Sequence, residues 1–476
     1  MTSDTGRDAG GGREASRADS GEAETLELHP PDGLKEVAGT LERRGWEAWA
    51  VGGAVRDELV GRSRADWDLA TNARPEEVQR IFRRTVPVGV EHGTVGVLAS
   101  DDVLYEVTTF RHDVETDGRH AVVRFSDTID EDLARRDFTI NAVAWRPSTG
   151  ELRDPHGGRE DLREGVLRAV GEPADRFSED FLRVLRGLRF AGRYRMELEP
   201  KTRTALERAV PGTEGLSAER VREELEKVVT DRRPSEALRL YRDVGVLDVW
   251  YPELAERAAS DPRWELRLGA VDEIARGRPV LRVASLLVDL DEDGESRSRE
   301  ARRVLERLKF SNRDTGRICH LVRHVRPMPA PTDSDAEVRT WIAEVGEDDL
   351  RDLFRLQIAE ARASGAEERQ RYLVYLWRRV HEQLLEGHPL TLSDLAVDGG
   401  DLLDMGVEEG PFVGVLLQEL HARVLENPSL NRRDRLLELT EELIEIGRLR
   451  GPEAAADPSE APGGGNALSG DGDADA

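Results

Sequence analysis

The sequence predicts an α+β fold: a mixed sheet with helices at the front of the chain, then an all-helical remainder. Three observations point there. Residues 33–160 mix short apolar runs with glycine- and aspartate-marked turns, whereas residues 173–450 are long charged stretches with helical periodicity. The length, 476 residues, exceeds what one core usually holds, so about two to four domains are expected. We divide the chain into a low-complexity tail (1–24), a head (25–165), a helical neck (166–230), a helical body (231–330), a helical tail domain (331–450) and an acidic terminus (451–476), with both ends expected to be disordered.

In chain order, residues 32–44 have helical spacing and residues 47–51 form an apolar strand that stops at Gly52-Gly53. Only residues without a Cβ let backbone amides close around a phosphate, which makes Gly53 a candidate for nucleotide binding. Arg56 follows as a charge partner for that phosphate. A second strand is expected at 66–70. Its Asp66 and Asp68 stand two apart, so both side chains leave the sheet on one face, roughly 6.5–7 Å between Cα atoms. Two such carboxylates can hold a pair of divalent ions roughly 3.5–4 Å apart, as nucleotidyl transfer requires. Asp66 and Asp68 are therefore both the catalytic and the metal-binding candidates. Pro75 opens a helix through residue 84, where its missing N–H costs nothing. Residues 94–99 and 104–110 alternate as strands, and Glu106 is the acid placed to join the two aspartates if its strand lies beside theirs; otherwise it faces solvent. Residues 111–125 are polar and carry the turn signal Asp117-Gly118.

Composition excludes several classes. The single cysteine, Cys319, rules out an internal disulfide and fits a reducing compartment. The first residues lack the apolar core of a signal peptide, and no stretch approaches the ~20 apolar residues that span a bilayer. A cytoplasmic protein with no membrane partner and no obligate protein partner is expected. Net charge is −27, and lysine appears only at positions 35, 201, 227 and 309. The acid excess fits salt adaptation. Nucleic-acid affinity rests on phosphate contacts, so binding to RNA would need local basic patches; residues 176–195 hold six arginines against two acids.

Val51-Gly-Gly-Ala-Val-Arg-Asp57 with Asp66-x-Asp68 resembles the first motif of bacterial (class II) CCA-adding tRNA nucleotidyltransferases and their poly(A) polymerase relatives, which have a polymerase β-like nucleotidyltransferase head. The resemblance extends over roughly residues 33–445. It implies two Mg²⁺ ions, CTP and ATP as substrates and the acceptor stem and 3′ end of tRNA as partner. Residues 111–125 resemble the family's flexible loop, and His92-Gly93-Thr94-Val95 looks like the CCA-adding type. Arg135-Arg136-Asp137-Phe138-Thr139-Ile140-Asn141-Ala142 matches the second motif, in which Arg136 can meet a triphosphate and Asp137 a ribose hydroxyl. Residues 154–162 match the third, a structural turn. Glu179-Asp180-Phe181-Leu182-Arg183 is like the fourth, and there Asp180 and Arg183 are expected on one helix face. Cytosine and adenine both offer an amino donor beside a ring-nitrogen acceptor, so an Asp acceptor beside an Arg donor would accept them and reject uracil and guanine. Arg186 flanks this pair and reaches a phosphate; Arg189 is carried over from the family alone, with a structural salt bridge as the alternative.

Residues 217–225 resemble the fifth motif, bracing the fourth, with Ser217 as N-cap. The body looks like an HD phosphohydrolase domain that has lost its chemistry, since Val288-Asp289 stands where His-Asp would be. His320 and His324, four apart, remain as a weak metal candidate. In the tail domain, Gly410-Pro411 opens a helix whose amides can bind phosphate. Template-free CCA addition leads, with an A-adding or poly(A) polymerase as the close alternative and a non-catalytic RNA-binding protein as the one from another class.

Overall fold

The computed structural model describes residues 26–450 except 63–65, 90–92, 117–120 and 261–262. The terminal tails, His92 and the Asp117-Gly118 turn lie outside the described residues. The chain forms two compact units that divide between Cys319 and His320, inside the helix Asn312–His324 rather than near residue 331. No helix among the described residues is long and apolar enough to cross a membrane.

In the first unit the head runs α1 (Asp32–Arg43), β1 (Ala48–Val51), α2 (Gly53–Leu59), β2 (Asp68–Thr71), α3 (Pro75–Ile81), β3 (Thr85–Gly89), β4 (Thr94–Leu98), β5 (Leu104–Thr109), β6 (Arg111–Thr116), β7 (Ala121–Phe125), α4 (Ile129–Ala134), β8 (Ala144–Trp145) and β9 (Leu152–Arg153). Seven strands make one mixed sheet in the order β3-β4-β5-β2-β1-β8-β9, in which only β2 and β5 pair in parallel. Strand alternation sorts the side chains. Ala48, Ala50, Leu69 and Val107 pack on one face with Leu34, Val37 and Leu41 of α1 and Val78 of α3. Trp49, Val51 and Ala70 pack on the other with Phe110 and with Ile129 and Leu133 of α4. Within the segment read from sequence as a loop, β6 and β7 pair antiparallel as a two-stranded sheet of their own.

The neck continues with α5 (Gly158–Glu164), β10 (Val166–Leu167), α6 (Pro173–Glu179), α7 (Leu182–Tyr194), β11 (Glu197–Leu198), α8 (Pro200–Ala209), α9 (Ala218–Val229) and α10 (Pro234–Asp243). Gly158 admits no side chain, because a Cβ there would stand 2.1 Å from the Thr139 carbonyl oxygen. Asp154 fixes this third-motif turn by accepting the Gly158 and Arg159 N–H groups at 2.7 and 2.9 Å. In the body, Asp289 lies 2.6 Å from the Arg267 guanidinium. The second unit is helical, and Leu402, Leu416, Leu420, Val424 and Leu436 form its core with their neighbours.

Candidate active site

The site begins where β1 runs out. Gly52 has φ of +74°, a left-handed conformation that disfavours any side chain, and it redirects the chain from Val51 into α2 at Gly53. Val51 pairs with Asp68 across the β1–β2 ladder. Leu69 is in register with Val107 of β5, so Asp68 and Glu106 are neighbours across the parallel pair, on the face opposite those two core residues. Asp66 lies outside the ladder: β2 starts at Asp68, and Asp66 is exposed in the segment leading into it. The shared strand face expected for the two aspartates is thus replaced by a loop acid beside a strand acid.

Electrostatics ties the three acids together. Burial, then the Glu106 charge, with a smaller push from Asp66, raises the Asp68 carboxyl to about 6 against the pull of Arg136. Carboxylates that disfavour one another's ionisation in this way fit a divalent cation, which would reverse the repulsion. Among the described residues no group of three or more His, Cys, Asp or Glu side chains could hold a metal by itself.

Arg136 is the cation facing these acids. Its Nη1 would lie 3.4 Å from a Cβ on Gly52, so the guanidinium sits against the glycine turn. Buried Asp132, one helical turn earlier, holds its Nη2 at 2.8 Å and also pairs with Arg135 at 3.0 Å. Burial alone would push the Asp132 carboxyl up, but the two guanidiniums hold it below the usual carboxylate range.

Arg56 is held by protein partners. It is 4% exposed, donates to Asp57 at 3.0 and 3.1 Å and to the Asn141 side-chain carbonyl, and lies over the rings of Phe190 and Tyr194 at 5.0 and 4.7 Å. Its charge is spent joining α2 to the second motif and to α7. Asp137 is likewise turned inward. One carboxylate oxygen accepts from the Phe138 N–H and the Asn141 amide, both at 2.9 Å, and the other from Arg186 at 2.8 Å. These partners outweigh burial and keep Asp137 well below the usual range. A ribose hydroxyl would have to share oxygens already engaged.

The fourth motif departs most from expectation. α6 ends at Glu179 and α7 starts at Leu182, leaving Asp180 extended at the junction, with φ of −155°. Asp180 and Arg183 are therefore not on one helix face. Asp180 accepts from the Leu182 N–H at 3.0 Å and from Arg220 of α9 at 2.8 Å. Arg183 pairs with Glu179 and donates to the carbonyls of Arg176 and Arg135 at 2.9 and 3.3 Å. Arg186 pairs with Asp137 at 2.7 Å. Arg189 is buried against Glu224 at 2.6 Å, which makes it the structural brace. Glu179, Arg220, Asp132 and Asn141 escaped the sequence reading. The spacing of Asp132 to Arg136 was a usable signal; nothing local marked Arg220.

The matches with known proteins follow this geometry. Residues 48–168 match the poly A polymerase head domain, residues 195–257 a model described as an RNA and SrmB-binding site of polymerase A, and residues 294–440 tRNA nucleotidyltransferase domain 2. The CCA-adding enzyme of Levilactobacillus brevis is 32% identical over 412 residues, covering 85% of this chain and 96% of that one. The CCA-adding enzyme of Enterococcus faecalis is 34% identical over 421 residues, covering 86% and 95%. The crystal structure of the Bacillus stearothermophilus CCA-adding enzyme in complex with CTP superposes with a TM-score of 0.68 at 30% identity, over 88% of this chain and 98% of that one. Enzymes of this family generally use divalent metal ions. With identity above 30% over most of its length and nearly all of its relatives', and with three domain models matched along it, the chain belongs to the CCA-adding enzyme family of tRNA nucleotidyltransferases.

Proposed function

We propose that this protein adds and repairs the 3′-terminal CCA of tRNA without a nucleic-acid template, using CTP and ATP and releasing pyrophosphate. The observation that carries the reading is the cross-strand pair Asp68–Glu106 facing Arg136 beside the Gly52 turn. Asp66 and Asp68 are the residues that would hold two Mg²⁺ ions, with Glu106 beside Asp68. Bound there, the ions would lower the pKa of the attacking tRNA hydroxyl and neutralise the leaving pyrophosphate. Arg136, aimed by Asp132, binds the triphosphate together with the backbone amides following Gly52. Asp180 accepts from the amino group that cytosine and adenine share, and Arg183 donates to their ring nitrogen. Arg220 and Glu179 hold the two side chains at the α6–α7 junction. Asp137, Arg186 and Arg189 act by positioning α7.

The head also matches a poly A polymerase model, so the assay must separate the two activities. Purified protein with Mg²⁺ is given tRNAs lacking CCA, CA or A, with labelled CTP or ATP supplied separately. CTP incorporation into the first two and ATP incorporation into the third supports the reading. Incorporation of ATP alone, repeatedly and on any RNA, replaces it with poly(A) synthesis.

A further inference from the structure

We propose that a second anion site, distinct from the nucleotide centre, binds phosphates of the RNA backbone in a cavity of about 460 Å³ in the first unit. Six of its nine lining residues are arginines: Arg62, Arg193, Arg195, Arg232, Arg233 and Arg276. Against them stand Asp57 and Asp231, a local excess of four positive charges on a chain of net charge −27. Such a concentration on an acidic protein opposes the overall field and needs an anion to balance it.

The position follows from two helices that start at the nucleotide centre and end at the cavity. Gly53 opens α2 and Arg62 lies just beyond its end; Arg183 is in the first turn of α7, whereas Arg193 and Arg195 are at its far end. Ten residues of helix separate Arg183 from Arg193 by roughly 15 Å, which puts the cavity off the triphosphate. Its wall is tightly built: a Cβ on Gly192 would stand 2.5 Å from the Ala237 nitrogen of α10.

The arginines are poorly matched by protein acids. Arg193 stands 3.5 Å from Asp231, Arg195 stands 3.8 Å from Glu236, and Arg62 rests over the Tyr194 ring at 4.9 Å. The side chains of Arg232, Arg233 and Arg276 are exposed and make no hydrogen bond or ion pair among the described residues, although the Arg276 charge acts on Asp231. The acids offer little neutralisation. Asp57 is engaged by Arg56 and Tyr194, and burial raises the Asp231 carboxyl despite Arg193 and the other guanidiniums around it. Exposed, unpaired planar guanidiniums are groups that bind phosphate bidentately. Arginines at an open rim suit a continuous backbone, and the match to an RNA-binding model over residues 195–257 includes Arg195, Arg232 and Arg233. This inference rests on the tRNA reading above and extends it to where the body of the RNA is gripped.

The test compares the full chain with the triple variant Arg232→Ala/Arg233→Ala/Arg276→Ala, and with the matching triple lysine variant. Binding of fluorescent tRNA lacking CCA is measured across a salt series, alongside kcat and the KM for CTP. The expected result is a tenfold or greater loss of tRNA affinity at low salt. The slope of log K on log salt becomes shallower by about one per lost contact, the lysine variant recovers most of it, and kcat at saturating tRNA and the KM for CTP stay within twofold. Unchanged tRNA affinity and salt slope overturn the site. A raised KM for CTP with intact tRNA binding overturns the RNA assignment in favour of free triphosphate. Failure of the wild type itself to bind tRNA sinks the functional reading first, and the cavity assignment with it.

Discussion

At the residue scale, Asp68 carries opposing demands. Its carboxyl is raised to about 6 by burial and by Glu106, so in the metal-free protein it favours the neutral form more than it would in the unfolded chain. A carboxyl raised in the fold costs stability as pH rises from about 4 to about 6, and the full cost persists above that window. Asp68→Asn should therefore raise the metal-free melting temperature at pH 7, by an amount corresponding to at most about 2–3 kcal/mol, and show little difference from wild type at pH 4. The same variant should lose nucleotide incorporation and its stabilisation by Mg²⁺. A variant no more stable than wild type at pH 7 that still turns over would refute both assignments.

Base selection is argued on the same scale. If Asp180 supplies the acceptor that demands an amino group, Asp180→Ala should lower the CTP/UTP ratio of kcat/KM measurably, within the roughly 1–3 kcal/mol that a good bidentate base contact supplies. Arg220→Ala should reproduce part of the loss, because Arg220 holds the Asp180 carboxylate at 2.8 Å. If both substitutions leave the ratio unchanged, the Asp180–Arg220 pair is a structural bridge and nothing more.

At the scale of elements, α7 is the part that others grip. Arg56 and Asn141 reach it from the head through Phe190 and Asp137, and α9 holds it through Arg189 and Glu224, side chains that are 7% and 1% exposed. Removing one member of a buried pair strands the other charge, which typically costs about 3–5 kcal/mol. Arg189→Ala should fall near the lower end, since Lys227 still reaches Glu224 at 2.9 Å. Denaturant unfolding reads that loss. Nucleotide selectivity among the molecules that remain folded should be unchanged; a shift in the CTP/UTP ratio with stability intact would instead put Arg189 in the base-reading site.

At the scale of the whole molecule, functions are divided along the chain. The proposed nucleotide centre and the arginine cavity belong to the first unit, and the match to tRNA nucleotidyltransferase domain 2, residues 294–440, begins late in the first unit and runs through most of the second. In the body, Arg267 pairs with Asp289 at 2.6 Å, both side chains largely buried. A guanidinium already paired with that carboxylate would compete with a divalent cation for it. The full chain should accordingly show no metal-stimulated hydrolysis of 2′,3′-cyclic nucleotides with Mg²⁺, Mn²⁺ or Ni²⁺. Hydrolysis above background that disappears in Asp289→Ala would overturn that reading.

The sequence by itself determined the chemistry. Gly52-Gly53 after an apolar strand is a local pattern that survives folding, because turn geometry follows from residues close in the chain, and the Asp-x-Asp and the fourth motif named the acids and arginines without fixing how they face one another. The tertiary structure decided which charges are free to act. Arg56 and Arg136 read alike as phosphate partners in the sequence, yet Arg56 is buried against Asp57 and Asn141, while Arg136 faces Asp68 across the glycine turn. The break between α6 and α7 moved Asp180 off the helix face that a three-residue spacing implied. Glu106 became a neighbour of Asp68 only through the parallel pairing of β2 and β5. Each of these outcomes turns on partners distant in sequence, and the cost of burying an unpaired charge selects them only once the chain has packed.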